Sequence, residues 1–318
     1  MQSTRAKHLI VPGLAKAGTT FLYDNLSRDT AYFNVPVRKE LNFFASQNTG
    51  SLARYLKLFP KASENKFYLD CSPVYLESGR PIANNISACL EGRDVWFIVA
   101  VRNPVEALIS HYYHDLKSNI GRMRRLKEFD TFSIWDPKIL QKYVKKRSEE
   151  IKRLRTVGYD KILGMHQKDL FKSDASGVIG NFLSIELQPF QNQKVSNPGG
   201  WLPYYIYGGK SGSFVEYDGA LYEIPAKALV LVSNARSEIK FNASEDFAHH
   251  ALTLQSTFSR RITVDKSYFT PAIDEYHALC DSLGLIPDQL DLPDIIDFVP
   301  TTPRINEALA KQLKRISA

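Results

Sequence analysis

Residues 94–102 read Asp-Val-Trp-Phe-Ile-Val-Ala-Val-Arg, a continuous apolar run closed by one cation. A strand that is apolar throughout, without polar alternation, belongs in the middle of a parallel sheet covered by helices on both faces. The next residues agree. Pro104 suits the first position of a helix, where its missing N–H costs nothing, and the helical pattern runs to about Lys117. Toward the N-terminus, Lys66–Cys71 (KFYLDC), Ala31–Val37 (AYFNVPV) and Lys7–Pro12 (KHLIVP) predict three more strands. Helical spacings over Thr20–Ser27, Ser51–Phe59 and Ile82–Leu90 separate them. Toward the C-terminus, Asp136–Thr156 predicts a long helix, Lys161–His166 (KILGMH) a strand, and Ser176–Leu187 a helix. Strands alternating with helices give an α/β fold, three layers deep, with a central parallel sheet flanked by helices and a glycine-bearing loop after the first strand.

Beyond residue 190 the pattern weakens. Asn197–Gly212 (NPGGWLPYYIYGGKSG) reads as a loop, Ala228–Val232 as a strand and Thr270–Leu283 as a helix. With no repeat and no linker, the 318 residues read as one domain, residues 191–318 completing an α/β core formed by 1–190.

Composition narrows the classes of function. The 44% apolar and 24% charged residues are ordinary for a soluble globular chain. The longest apolar runs fall far short of the ~20 residues of a spanning helix. The stretch MQSTRAKHLIVPG has no apolar core of the secretory kind. The expectation is a cytoplasmic protein with no transmembrane segment. Cys71, Cys89 and Cys280 are odd in number and widely spaced, which suits neither a disulfide framework nor a zinc site; they read as small buried hydrophobes. The net charge is +7, and thirteen Lys and Arg crowd between Lys117 and Arg155. That run is either a solvated helix face or a surface that draws in an anionic donor or acceptor. Its aromatics gather at Phe129–Trp135 instead of interleaving with the cations, so nucleic acid is not the expected partner.

Chemistry enters at Gly13-Leu-Ala-Lys16-Ala17-Gly18-Thr19-Thr20, between the first strand and the first helix. Two glycines at this spacing let the backbone curl around a phosphate at a helix N-terminus, although glycine also serves strand-to-helix turns for purely structural reasons. A Walker A loop reads G-x-x-x-x-G-K-[ST]. Here Thr19 holds the lysine position and the lysine stands upstream, at Lys16. An NTPase also needs a carboxylate at the end of an apolar strand to hold Mg²⁺. The strand over 94–101 is followed by Arg102 instead, so the site reads as built for an anion without a metal.

Lys16-Ala-Gly-Thr-Thr resembles the 5′-phosphosulfate loop of sulfotransferases that use PAPS (3′-phosphoadenosine 5′-phosphosulfate). Arg102-Asn-Pro-Val-Glu-Ala-Leu-Ile-Ser110-His-Tyr resembles their 3′-phosphate motif, R-x-P-x-x-x-x-x-S-x-Y. Arg38-Lys39-Glu40-Leu-Asn42-Phe-Phe resembles the K-E-x-H-F-F segment of the heparan-sulfate-type branch, and Asp70-Cys-Ser72-Pro-Val-Tyr75 its E-K-[ST]-P-x-Y strand end. The resemblance covers about residues 7–190. It implies that Lys16, Ala17, Gly18, Thr19 and Thr20 hold the phosphosulfate, that Arg102 and Ser110 hold the 3′-phosphate, and that Glu40 is the general base. It also implies that Lys39, Asn42, Ser72 and Tyr75 line the acceptor cleft. PAPS would be the donor and PAP the product, with no metal, and the acceptor the hydroxyl of a glycan or glycolipid. Asn42 stands where that branch has histidine, Cys71 where it has lysine, and Gln167 where it has glutamate. Within the family a small-molecule alcohol or phenol is the other acceptor. Outside it stand a P-loop kinase or NTPase and a non-catalytic nucleotide-binding protein. His111 and His114 share the helix of Ser110 and are candidates for a supporting role. Gly208–Gly212 (GGKSG) is either a loop closing over the donor or a flexible surface turn.

Overall fold

The computed structural model describes residues 6–46, 50–60, 63, 65–108, 110–111, 144–191 and 262–298, with the strands 204–208, 213–217, 220–224 and 228–232. The chain forms two compact units. The first takes in 1–109, 137–195 and 269–291, and the second 110–136, 196–268 and 292–318.

The first unit is α/β. Its strands are β1 (Lys7–Val11), β2 (Phe33–Asn34), β3 (Phe67–Cys71), β4 (Asp94–Val101) and β5 (Ile162–His166). All pair parallel, in the order β2-β3-β1-β4-β5. Register is fixed by pairs such as Leu9 with Leu69 and Trp96, and Val99 with Gly164. Helices α1 (Thr19–Leu26), α2 (Leu52–Leu56), α3 (Val74–Glu77), α4 (Ile82–Cys89), α5 (Arg147–Thr156), α6 (Gln167–Leu170), α7 (Ala175–Leu183) and α8 (Thr270–Leu283) complete the unit. Successive residues of a strand face opposite sides. Thus Trp96 packs edge-on against Phe182 of α7, whereas Phe97 packs against Tyr159, just past α5. Both faces of β4 are covered, as its unbroken apolar run requires, and residues 97–101 are wholly buried.

Several boundaries differ from the sequence expectation, each for a physical reason. The strand expected over Ala31–Val37 shrinks to a two-residue edge: Asp29 carbonyl holds Tyr32 and Phe33 in a turn, and Pro36 brings no N–H to a ladder. The helix expected from Asp136 begins at Arg147; residues 144–146 are not helical, and 136–143 lie outside the described residues. Lys145, Lys146 and Arg147 oppose the positive end of a helix dipole, while Glu149 and Glu150 favour its first turn. Glu275 of α8 then accepts from the Ser148 N–H (2.7 Å) and hydroxyl (3.1 Å), capping α5 from outside. Glu150 does the same for α4 through the Ala83 N–H (2.6 Å). So α8, from the C-terminal third of the chain, belongs with the α/β unit. All three cysteines are free and buried.

In the second unit β6 (Tyr204–Gly208) pairs antiparallel with β9 (Ala228–Val232), and β7 (Ser213–Tyr217) with β8 (Ala220–Ile224). β10 (Ile262–Asp265) pairs likewise with β11 (Ile295–Phe298). Tyr204–Gly208 therefore corrects the loop reading of that stretch; Tyr-Tyr-Ile-Tyr is rich in β-forming side chains. Among the described residues no helix is long and apolar enough to cross a membrane.

Candidate active site

Topology opens the site. From β1 the chain crosses to the β2 side, and from β4 to the β5 side, so their carboxyl ends diverge and leave a crevice where sheets of this class bind ligands. The glycine loop follows β1, and Arg102 follows β4.

The glycine loop is tied to the strands by main chain. Val11 carbonyl accepts from Ser72 N–H (3.1 Å) and Pro12 carbonyl from Leu76 N–H (3.0 Å). Gly13 carbonyl accepts from Ala100 N–H (3.2 Å), and Leu14 N–H donates to Ala100 carbonyl (3.0 Å). Ala17 N–H returns to Leu14 carbonyl, closing the curl. Lys16 (φ 66°) and Gly18 (φ 95°) both take the left-handed conformation. At Gly18 a Cβ would also sit 3.1 Å from Leu170 Cδ1, a tight approach that adds to the backbone preference for glycine. Gly18 caps α1 and no side chain caps the helix. An end left so offers N–H groups and the dipole to an anion. Ala17 and Thr19 are buried under the loop; Lys16, Gly18 and Thr20 are half-buried.

Arg102 joins this loop. Its Nη1 donates to Lys16 carbonyl (3.0 Å), which Gln167 Nε2 also approaches (3.4 Å). Its Nε and Nη2 donate to Glu106 Oε2 (3.1 and 3.0 Å). Ser110 and His111 are helical and half-buried but belong to the second unit; His114 lies outside the described residues, as do 209–212 of the GGKSG stretch.

The segment 38–45 is held differently. Asn42 is exposed and left-handed (φ 55°), a conformation asparagine tolerates better than most residues, and it opens a single 3₁₀ turn, Phe43–Ala45. Asn42 N–H donates to Ser72 Oγ (3.1 Å) and Phe44 N–H to the Tyr75 hydroxyl (3.4 Å). Asn85 Nδ2 and Arg80 Nη1 donate to the carbonyls of Phe44 (2.8 Å) and Ala45. Glu40 is exposed at 49%, paired with Lys39 Nζ at 3.0 Å. Lys39 also lies near enough to Asp24 of α1 to oppose the burial that raises that carboxyl.

Beneath both segments sits Asp70. Its Oδ1 accepts from Ser72 Oγ (2.6 Å), and its Oδ2 from the hydroxyls of Tyr75 (2.7 Å) and Tyr55 (3.4 Å). Burial pushes its carboxyl up to about 6, against the pull of those three donors. The sequence expectation set Ser72 and Tyr75 on the cleft wall. In the structure both are buried and turned toward Asp70, and they carry the loops instead of facing open space. Ser72 serves both: its N–H holds Val11 and its hydroxyl holds Asn42. Sequence reading missed the roles of Asp70 and Tyr55, and it missed the pair Glu77 and Arg147, whose members lie seventy residues apart in the chain.

Asp70 also bears on nucleotide hydrolysis, since it stands near the end of β3, beside β1, where a metal-holding carboxylate would serve. Both of its oxygens are taken by hydroxyls in the core. Among the described residues no group of three or more His, Cys, Asp or Glu is placed to hold a metal.

No protein-family model matches the chain, and no curated protein does. Among solved structures the chain is similar to a sulfotransferase from Alicyclobacillus acidocaldarius, 18% identical, with a TM-score of 0.44. The match covers 59% of this chain and 86% of that one.

Proposed function

We propose that the protein is a PAPS-dependent sulfotransferase that sulfates an acceptor hydroxyl of a glycan or glycoconjugate. The observation that carries this reading is the Arg102 guanidinium donating to the carbonyl of Lys16. It brings the residue assigned to the 3′-phosphate against the loop assigned to the phosphosulfate, so that one guanidinium and one glycine loop can serve the same nucleotide.

In the proposed reaction the acceptor oxygen attacks sulfur in line. The bond from sulfur to the 5′-phosphate oxygen breaks, and its electron pair leaves on PAP. Glu40 takes the acceptor proton; its exposed carboxylate is open to an acceptor, and the pair with Lys39 orients it. Lys16 and the amides of Gly18, Thr19 and Thr20 stabilise charge on the leaving phosphate. Arg102 and Ser110 hold the 3′-phosphate, Lys39 and Asn42 meet the acceptor, and Ser72 and Tyr75 hold the acceptor segment in place.

The test is transfer of ³⁵S from labelled PAPS to two panels, one of oligosaccharides and one of phenols and simple alcohols. Label on sugar hydroxyls, lost in Glu40→Gln, is expected. Label on phenols alone overturns the acceptor class, and transfer to neither panel overturns the activity.

A further inference from the structure

The phosphate loop carries a carboxylate that nothing in its motif announces. Glu77, the last residue of α3, accepts from the Ala15 N–H with Oε1 at 3.3 Å, one residue before Lys16. A loop that gathers anions gains nothing from a bare negative charge at that point: like charges a few ångströms apart in a half-buried site repel strongly. The structure supplies the compensation. Arg147 meets Glu77 side-on, with Nε on Oε1 at 3.1 Å and Nη2 on Oε2 at 2.9 Å. The two side chains are only 16% and 10% exposed, so solvent screens the pair little. Arg147 opens α5, whose first turn is fixed by two further carboxylates, Glu275 on Ser148 and Glu150 on Ala83 of α4. Its guanidinium therefore has a set origin, and the planar two-point geometry is one lysine cannot copy.

We propose that Arg147 is a positioning and charge-compensating residue of the donor site. Glu77 pins the Ala15 amide, and Arg147 cancels the charge of Glu77 so that the neighbouring loop accepts an anionic phosphosulfate. This rests on the donor-site reading above. It requires more of Arg147 than structural support: the harm of losing it comes from the uncovered carboxylate, and so disappears when the carboxylate is neutralised.

The experiment is calorimetric titration of wild type, Arg147→Ala, Glu77→Gln and the double variant with PAP, each checked by thermal melting. Glu77→Gln keeps a carbonyl oxygen for the Ala15 amide and uncovers the Arg147 cation, so it should bind PAP at least as tightly as wild type. Arg147→Ala should weaken PAP by about 10- to 100-fold, and the double variant should recover to within about threefold of wild type. A melted Arg147→Ala is replaced by Arg147→Gln, which keeps most of the packing and also lacks the charge. Arg147 variants that bind like wild type overturn the proposal. So does a folded double variant as weak as the single, because the loss would then come from a direct donor contact or from distortion. Wild type that takes up no PAP overturns the donor-site reading and this inference with it, a result separable from both others.

Discussion

The two loops that meet at the turn between β3 and α3 are held by opposite means. The loop after β1 is an extension of the sheet: main-chain bonds to Ser72, Leu76 and Ala100 fix it over 11–14. The segment 41–45 has no such ladder and hangs on side chains, its amides on Ser72 and Tyr75 and its carbonyls on Arg80, Asn85 and Arg38. A main-chain frame is indifferent to most substitutions, whereas a side-chain frame can be changed one group at a time. The donor side of the proposed site is thus the rigid half, and the acceptor side the half whose geometry sequence can tune. Asp70 is where the two differ most, since it holds the hydroxyls of the second frame and touches the first only through Ser72.

This contrast orders the expected effects. The largest falls on chemistry alone. Glu40→Gln should lower kcat by ~10²–10⁴-fold, the usual worth of a general base, and leave PAP affinity as in wild type. Next comes Arg102→Ala, which removes charge-assisted hydrogen bonds and should weaken PAP by roughly 10–100-fold with a smaller change in kcat. If kcat fell as far as affinity, the separation of donor and acceptor halves would be lost. Third is Asp70→Asn, which loosens the acceptor frame only. It should cut kcat about tenfold with PAP affinity within about twofold of wild type, and Tyr75→Phe should do the same more weakly. Equal damage to PAP affinity would show that the two frames are one.

The smallest effect is a cancellation. His8 is buried between Tyr68 and Tyr55, and among the described residues neither ring nitrogen has a hydrogen-bond partner; burial, helped by Arg93, lowers it to about 4. The folded chain refuses a proton that the unfolded chain takes below 6.5. The contribution of His8 is therefore complete above 6.5 and is lost as pH falls toward 4. Asp70, raised to about 6, has the opposite sign: its contribution is complete below its ordinary 3.8 and is lost as pH rises through 6. Each is worth ~3 kcal/mol, so between pH 4 and 6 the two roughly offset. Urea midpoints should be nearly flat there for wild type as far as these groups decide. They should fall on acidification in Asp70→Asn and fall on alkalinisation in His8→Leu. Parallel slopes in all three proteins would contradict the assignment.

What was legible in the sequence follows the same division. β4 and α8 were readable because their signals are local, an apolar run in one and helical spacing ended by Gly284 in the other. The loop and Arg102 were readable because motif residues stand at strand ends, and the topology brings strand ends together. The start of α5 was misread because apolar spacing says nothing about three cations at a helix N-terminus. The pair β7–β8 was missed although Asp218-Gly219, a strong hairpin signal, stands between its strands. Two of the hydroxyls on Asp70, those of Ser72 and Tyr75, stand close by in the chain, but that they turn inward onto it is decided by packing. That Glu77 meets Arg147 seventy residues on has no local signal at all.

The central claim is that the loop after β1 and Arg102 after β4 form one site for a 3′-phosphorylated nucleotide. The most direct measurement is calorimetric titration of the wild-type protein with PAP, set against ATP with Mg²⁺. The account requires tight, metal-independent PAP binding that collapses in Arg102→Ala, with ATP bound far more weakly. ATP preferred in the presence of Mg²⁺, or PAP binding indifferent to Arg102→Ala, would contradict it.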